Sequence, residues 1–347
     1  MTPAPLRICV LVSSYEGSAS PFKDVDPPPD PSRFLTGHAV TTVALHRPEV
    51  PERIAALVAE GYDVFFNLCD GMGDEDLPGL DVLECLEAHG AAFTGPDSAF
   101  FPVMKAEVKR VARSLGIDTP PEVFAFSHAD VERAVAELPF PVIVKHFNGY
   151  ASVGMTPGSR VTTPETLRTE AGRVLQAYGG ALLEAFVEGR EITVLVAENP
   201  DDPAQPMVYP PMEVLFPEGE SFKHSELKWQ MFDQIGHVPL GPDEAALAMS
   251  AMTATGRLFT ALGGNGFARC DFRVDLAGRP QLLELNTLCG VFYPPSAEGC
   301  ADQILLTVPD GHLHFADLLL RGALARGRRA TSGVPLMAPN WTSRRGS

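Results

Sequence analysis

The sequence is most informative in two neighbouring segments, Gly266-Phe-Ala-Arg-Cys-Asp-Phe-Arg273 and Glu284-Leu-Asn-Thr287. Both are predicted to be strands, and the turn residues at 276–280 between them indicate a hairpin. Glu284 and Asn286 alternate along one strand and point to the same side, and Asp271 can face them from the partner strand. Their oxygen atoms are the hard ligands required by a divalent metal ion that serves phosphate groups.

This metal hypothesis has alternatives. Glu284 and Asn286 could lie on a solvated sheet face, but the leucines within 282–285 imply a partly desolvated carboxylate that needs a cation. Arg269 lies two residues before Asp271, so it shares a strand face with it and could stabilise charge on a carbonyl oxygen or a phosphoryl group. A plain salt bridge between Arg269 and Glu284 is an equally good interpretation.

The composition limits the function. Of the 347 residues, 44 are acidic and 27 basic, which gives a net charge of -17 and disfavours nucleic acid and anionic membranes as partners. No apolar run approaches the roughly 18 residues that span a bilayer, and the N-terminus lacks a secretory signal, so we expect a soluble, cytoplasmic protein. The six cysteines form no CxxC pair, which argues against disulfides and zinc.

The order of elements predicts an α/β fold. Strands at 6–13, 42–45 and 64–68 alternate with a helix at 51–60, which is typical of a parallel sheet. We place a first domain boundary near residue 98. Interrupted apolar patterns at 209–242 predict a long, functional loop. After residue 326, small residues and arginines predict a disordered tail.

Two lysines stand where phosphates could bind. Lys145 ends a buried strand and Lys105 begins a helix; each alone is more often a surface charge. Between them and the hairpin, residues 183–191 form an apolar hinge bracketed by carboxylates, which could bind an adenine edge and a ribose or could be an ordinary strand pair. Walker, Rossmann and serine-hydrolase motifs are absent from the sequence.

In this order, the segments resemble the ATP-grasp superfamily and, within it, the D-alanine:D-alanine ligase family, over residues 6–320. The hairpin segments look like that family's G-x-x-R-x-D-F and E-x-N-T signatures. The resemblance implies an α/β (α+β) ATP-grasp fold with an N-terminal Rossmann-like domain. The implied divisions are residues 1–98, a central subdomain at 99–180, and a C-terminal subdomain at 181–326 with a mobile ω-loop at about 209–242, followed by the tail at 327–347.

The resemblance also implies roles for individual residues. Those near ATP would be Lys105 and Lys145 on phosphates, Glu184, Ala185 and Val187 along adenine, Glu191 on ribose, Ser152 in the phosphate loop and Lys228 in the ω-loop. Glu16 would bind the ammonium of the first amino acid, and Glu75 would match a glutamate of the family's acidic stretch. Two Mg²⁺ ions, with Mn²⁺ as an alternative, would lie on Asp271, Glu284 and Asn286.

The implied reaction uses ATP to phosphorylate a substrate carboxylate, after which an amine attacks the acyl phosphate. Arg269 would stabilise the tetrahedral oxyanion, and closure of the ω-loop would exclude water. The partners would be small carboxylate and amine substrates of the amino-acid kind. The sequence leaves the oligomeric state open, with a homodimer among the alternatives.

Departures from the family pattern concern the substrates. Ala151 replaces a serine, Trp229 replaces a tyrosine, and the second-substrate segment becomes Cys289 to Pro295, with Ser296 only approximately where a serine is expected. We therefore expect an altered acceptor pocket, in which Cys289 either lines the pocket or replaces proline in a turn. The alternatives are true D-alanine:D-alanine ligation and a nucleotide-binding module without catalysis.

Overall fold

The computed structural model describes residues 4–18, 20, 23–71 and 76–331. The first sheet is parallel, as predicted, with β1 between β2 and β3. The apolar run of β1 is buried at Ile8 to Val12, because both faces of this central strand are covered. The elements are β1 (Arg7–Ser13), β2 (Ala39–Leu45), α1 (Val50–Ala59), β3 (Val64–Asn67) and α2 (Leu80–Ala88).

A second, antiparallel sheet follows in the order β4-β7-β5-β6. The helix at 164–178 begins where the Thr163 side chain accepts a hydrogen bond from the Thr166 amide, and it ends at Gly179, whose φ is +74°. The predicted strand that ends near Lys145 is central in this sheet. The elements are α3 (Lys105–Ser114), β4 (Glu122–Ala125), α4 (His128–Glu137), β5 (Val142–His146), β6 (Arg160–Val161), α5 (Pro164–Tyr178) and β7 (Ala181–Ala185).

The third sheet is antiparallel in the order β11-β10-β8-β12-β13, and β9 also pairs with β8. The segment 209–242, predicted as a loop, contains two of these strands and a short helix, because its backbone completes the open edge of β8. The elements are β8 (Gly189–Ala197), β9 (Met207–Val208), β10 (Met212–Leu215), α6 (Ser225–Trp229), β11 (Gly236–Pro239), α7 (Ala245–Ala261), β12 (Phe267–Asp275), β13 (Pro280–Thr287), α8 (Cys300–Leu306) and α9 (Gly311–Thr331).

Helix α9 ties the last sheet to the first. Phe315 is fully buried and packs edge-on against Phe267, and Arg326 donates hydrogen bonds to the carbonyls of Phe93 and Gly95. The helix continues through residues 327–331, which the sequence placed in a disordered tail; the rest of that tail, 332–347, lies outside the described residues. Within the described part of the chain, no helix is both long and apolar enough to cross a membrane.

Gly266 brings the start of β12 against the turn at Gly95 through a close backbone approach. Its φ is +62°, and an added Cβ would lie 2.1 Å from the carbonyl carbon of Gly95. The neighbouring atom is backbone and cannot rotate away. Any side chain at this position therefore forces the turn at Gly95 away from the start of β12.

We expect Gly266→Ala to lower the free energy of unfolding by at least about 2 kcal/mol, since strain in the left-handed region adds to the clash. The matched control is Gly172→Ala in α5, where an added Cβ meets nothing within 4 Å and helix propensity favours alanine by up to about 1 kcal/mol. Urea unfolding of both variants measures the difference. Equal stability of the two variants would contradict this account of the contact.

Candidate active site

The β12–β13 hairpin brings the three predicted metal ligands together. In its register Asp271 lies opposite Glu284, and Arg269 lies opposite Asn286. The Asn286 amide donates hydrogen bonds to Asp271 Oδ2 at 3.0 Å and to Glu284 Oε1 at 3.2 Å. The alternation along β13 and the pairing across the hairpin thus place all four side chains on one sheet face.

The two carboxylates are sheltered and each has a cation. The Asp271 side chain is 7% exposed and that of Glu284 is 28% exposed, so this is not an open, solvated face. Arg269 donates to both Asp271 oxygens, at 2.9 and 2.8 Å, whereas Glu284 is paired with Lys105. Arg269 therefore forms a salt bridge, as one interpretation predicted, but its partner is Asp271 and not Glu284.

Both acids are held in the charged form. Burial would raise the pKa of Glu284, but the charges of Lys105 and Lys145 outweigh it and the pKa is lowered. Burial would also raise the pKa of Asp271, but the charge of the nearby Arg269 outweighs it and the pKa is lowered. Among the described residues, no group of three or more His, Cys, Asp and Glu side chains could hold a metal ion. The donor set is therefore two carboxylates and an amide, hard ligands that fit a magnesium ion.

A second charge centre lies at the end of β7. Glu184 is 1% exposed and is paired with Lys145 at 2.8 Å and with Lys109 at 2.5 Å. Its pKa is lowered, because the charges of Lys109 and Lys145 outweigh the cost of burial. Sequence reasoning missed Lys109, although it follows Lys105 by four residues on α3 and so lies on the same helix face.

The hinge after Glu184 is only partly available to a ligand. The Ala185 amide donates to the Pro121 carbonyl at 2.9 Å, and the Val187 carbonyl accepts a hydrogen bond from Arg273 at 3.0 Å. Glu191, on β8, is paired with Lys223 at 3.0 Å, another cation that the sequence analysis did not single out. No motif or spacing within the loop-like segment 209–242 marked Lys223 as a site residue.

The loop at residues 148–154, whose Ser152 the resemblance assigns to the phosphate loop, is in contact with the segment around α6. The Ser152 hydroxyl donates to the Lys223 carbonyl at 2.8 Å, and the Trp229 indole donates to the Ala151 carbonyl at 3.1 Å. Ala151 and Ser152 have φ values of +53° and +59°, a strained conformation that is concentrated at functional sites. The two positions that depart from the family pattern, 151 and 229, therefore touch each other, and α6 covers the loop.

Nearly all predicted site residues line one cavity, which we call the first cavity. Of the predicted residues that the structure describes, Glu16 alone is missing from its wall. Lys223 and Arg273 belong to the wall although the sequence analysis gave them no role. The predicted residues on the wall are Lys105, Lys145, Ser152, Glu184, Ala185, Val187, Glu191, Lys228, Arg269, Asp271, Glu284 and Asn286.

The first cavity opens into a second cavity of about 270 Å³, with which it shares Lys105, Lys223, Lys228, Arg269 and Asn286. Aromatic and apolar side chains form much of the second wall. Cys289 lines this cavity, which agrees with the interpretation that it lines a pocket, and Ser296 does not line it. The Phe, Tyr and Trp members are Tyr15, Phe101, Tyr150, Trp229, Phe232 and Tyr293.

Glu16, which the resemblance places on the ammonium of the first amino acid, lines none of the three cavities. Its side chain is 87% exposed and lies 3.8 Å from His46. Asp26 instead reaches the second cavity and a third cavity of about 290 Å³ beside it, and it accepts hydrogen bonds from Tyr15 at 2.6 Å and Tyr293 at 3.0 Å. Glu75 lies outside the described residues.

Comparisons with known proteins agree with this geometry. A model of the D-ala D-ala ligase C-terminus family matches residues 114–294. The D-alanine–D-alanine ligase of Ectopseudomonas mendocina is 32% identical over 238 residues, which are 68% of this chain and 71% of the relative. That of Halorhodospira halophila is 34% identical over 237 residues, 67% and 71% of the two chains.

Among solved structures, the D-alanine–D-alanine ligase of Bacillus anthracis, complexed with ATP, shares the fold with a TM-score of 0.64 at 17% identity, over 93% of this chain and 99% of that chain. The expected mixed α/β ATP-grasp fold is thereby confirmed. The chain belongs to the D-alanine–D-alanine ligase family, whose members are ATP-dependent carbon–nitrogen ligases.

Proposed function

We propose that this protein uses ATP to join a carboxylate to an amine through an acyl phosphate, and that its acceptor pocket differs from that of a D-alanine:D-alanine ligase. The observation that carries the proposal is a single cavity in which Asp271, Glu284 and Asn286 meet four lysines and Arg269. This cavity opens directly into a second one that is large enough for an amino acid. The ATP-bound relative from Bacillus anthracis has the same fold.

The first cavity would hold the nucleotide. Lys105, Lys145 and Lys228 would neutralise phosphate charge, and Glu191 would accept hydrogen bonds from the ribose. Asp271, Glu284 and Asn286 would hold two magnesium ions. When bound, these ions would neutralise charge on the transferring phosphoryl group. Lys105, which pairs with Glu284, would be free to turn toward the phosphates, whereas Arg269 would stay bound to Asp271.

In the first step, a carboxylate oxygen attacks the γ-phosphorus and ADP leaves. In the second, the amine attacks the acyl carbon and inorganic phosphate leaves with its bonding electron pair. Arg269 lies on the wall between the two cavities, with its guanidinium held by two hydrogen bonds to Asp271. A fixed donor at that point stabilises the oxyanion formed by the attack, and the Trp229 contact over Ala151 keeps water from the acyl phosphate.

The second cavity favours an acceptor larger than D-alanine. Its aromatic wall offers apolar contact to a side chain, and Lys223, Lys228 and Arg269 offer positive charge to a carboxylate. An amino acid with a bulky side chain combines these two properties. True D-alanine:D-alanine ligation is the second candidate, favoured by the D-alanine–D-alanine ligases that are 32% and 34% identical to this chain.

The function is tested by incubating the protein with Mg-ATP and pooled L- and D-amino acids, with mass spectrometry of new amides and an assay for released phosphate. We expect amide formation coupled to ADP and phosphate, with a product that contains a bulky amino acid. A parallel reaction with D-alanine alone decides the second candidate. ATP turnover with no amide in either reaction would refute both.

Glu284→Gln should lower kcat by at least about 100-fold, because it removes a charged metal ligand that acts in the transition state. Glu137→Gln, the same substitution at an exposed site on α4, is the matched control and should leave kcat unchanged. Steady-state phosphate release measures both. Full turnover by the Glu284 variant would contradict the assignment of Glu284 as a metal ligand.

We propose that Asp26 holds the ammonium group of an amino-acid substrate. Asp26→Asn should then raise the KM of that amino acid by about 10-fold or more, since a charge-assisted hydrogen bond is lost. Glu16→Gln, at the position that the resemblance suggested, should leave that KM unchanged because its side chain is 87% exposed. Amide formation against amino-acid concentration distinguishes them. A raised KM in the Glu16 variant with an unchanged KM in the Asp26 variant would assign ammonium binding to Glu16.

Lys228 gives the reaction a pH limit. Burial, with the charges of Arg269 and Lys223, lowers its pKa to about 8, so its positive charge is present below that pH and is lost as the pH rises through it. We expect kcat/KM for ATP, which reports the free enzyme, to fall above pH 8. In Lys228→Arg the guanidinium stays charged, and the fall should disappear; an unchanged profile would exclude Lys228 as its cause.

A further inference from the structure

A cysteine with two basic neighbours lies in the second cavity, outside the nucleotide machinery. Cys300 begins α8, and its Sγ lies 3.2 Å from His237 Nε2 and 3.7 Å from Lys223 Nζ. His237 comes from β11, and Lys223 precedes α6, so three separate elements converge at the sulfur. All three residues line the second cavity, and Cys300 is partly exposed.

The other five cysteines lack this environment. Four are buried, and burial raises the pKa of each of these thiols. Cys85 is partly exposed like Cys300, yet its pKa is also raised, by burial and by the neighbouring acids of α2. Cys85 is therefore an internal control of similar accessibility. The four buried cysteines are Cys9, Cys69, Cys270 and Cys289.

The charges around Cys300 favour the thiolate. Burial would raise its pKa, but Lys223, Arg269 and the hydrogen bond to His237 outweigh that cost and lower the pKa to about 6. Lys228 and Cys289 also face the sulfur from α6 and from the loop after β13. On its own helix, Asp302 is turned away and binds the amides of Phe292 and Gly299.

We propose that Cys300 is a covalent modification site, a nucleophilic thiolate that hydroperoxides oxidise to a sulfenic acid inside the second cavity. The thiolate electron pair forms a bond to the terminal peroxide oxygen, which keeps its hydrogen, and the O–O bond breaks. The other oxygen leaves as hydroxide, or as alkoxide from an organic hydroperoxide, and takes a proton from a buffer acid to give water or an alcohol. Sulfur is oxidised and the peroxide is reduced. A small thiol then reverses the change by forming a mixed disulfide with loss of water and exchanging with a second thiol.

Modification would alter the cavity as well as the sulfur. The sulfenic acid is neutral and carries one more oxygen, so Lys223 loses an anionic neighbour while space beside His237 is filled. An acceptor in the second cavity would in turn shield the sulfur. The inference does not depend on the proposed ligase activity, because the modification is read from the mass of the protein.

Pulse labelling of the whole protein with iodoacetamide, followed by peptide mass spectrometry, ranks the six thiols. At pH 6 about half of a thiol with a pKa of about 6 is ionised, compared with about 0.3% of an ordinary thiol. The less basic thiolate is also a weaker nucleophile, which reduces this advantage in rate by about 13-fold. We therefore expect Cys300 to react at least about 10-fold faster than Cys85 at pH 6. Its rate should level off above pH 7, whereas ordinary thiols continue to rise.

Oxidation is tested by adding hydrogen peroxide and trapping the sulfenic acid with dimedone, with the adduct expected on Cys300 and absent from Cys85. His237→Gln should slow the labelling of Cys300 several-fold at pH 6, and His314→Gln, at an exposed site on α9, should not. If wild-type Cys300 is labelled no faster than Cys85, or if dimedone marks another cysteine first, the proposal is overturned. That comparison needs no variant to fold.

Discussion

The acidic pair across the β12–β13 hairpin is the constraint on which the site depends. Asp271 and Glu284 face each other on one sheet surface and are largely withdrawn from water, and two such charges are costly unless cations are held against them. Arg269 and Lys105 meet that requirement. Both cations line the first cavity, in which we propose that the triphosphate and its metal ions bind.

Helix α3 links this pair to the second charge centre. Lys105 binds Glu284 in the third sheet, and Lys109, one turn later, binds Glu184 in the second sheet. The i, i+4 spacing places both lysines on one helix face, and each binds a carboxylate that lines the first cavity. A single helix thus balances charge on both walls, and truncating either lysine would leave a buried carboxylate with fewer partners.

One hydrogen bond joins the two positions that depart from the family pattern. The Trp229 indole N–H donates to the Ala151 carbonyl, so a side-chain to main-chain bond joins the segment around α6 to the loop at residues 148–154. A backbone acceptor is present whatever residue stands at 151. Asp26, held by Tyr15 and Tyr293, similarly supplies a carboxylate that Glu16 does not bring to the cavity.

By itself, the sequence determined the parallel first sheet, the hairpin and the convergence of Asp271, Glu284 and Asn286, because strand alternation is a local property with a fixed period. It also identified the lysines and hinge through their order along the chain. Only the tertiary structure decided the partner of Lys105, the burial of Lys109, the presence of Asp26 rather than Glu16 on the cavity walls and the meeting of Cys300 with His237 and Lys223. Lys105 and Glu284 are 179 positions apart and His237 and Cys300 are 63 positions apart, and no local pattern encodes which distant group a folded chain brings within hydrogen-bonding distance.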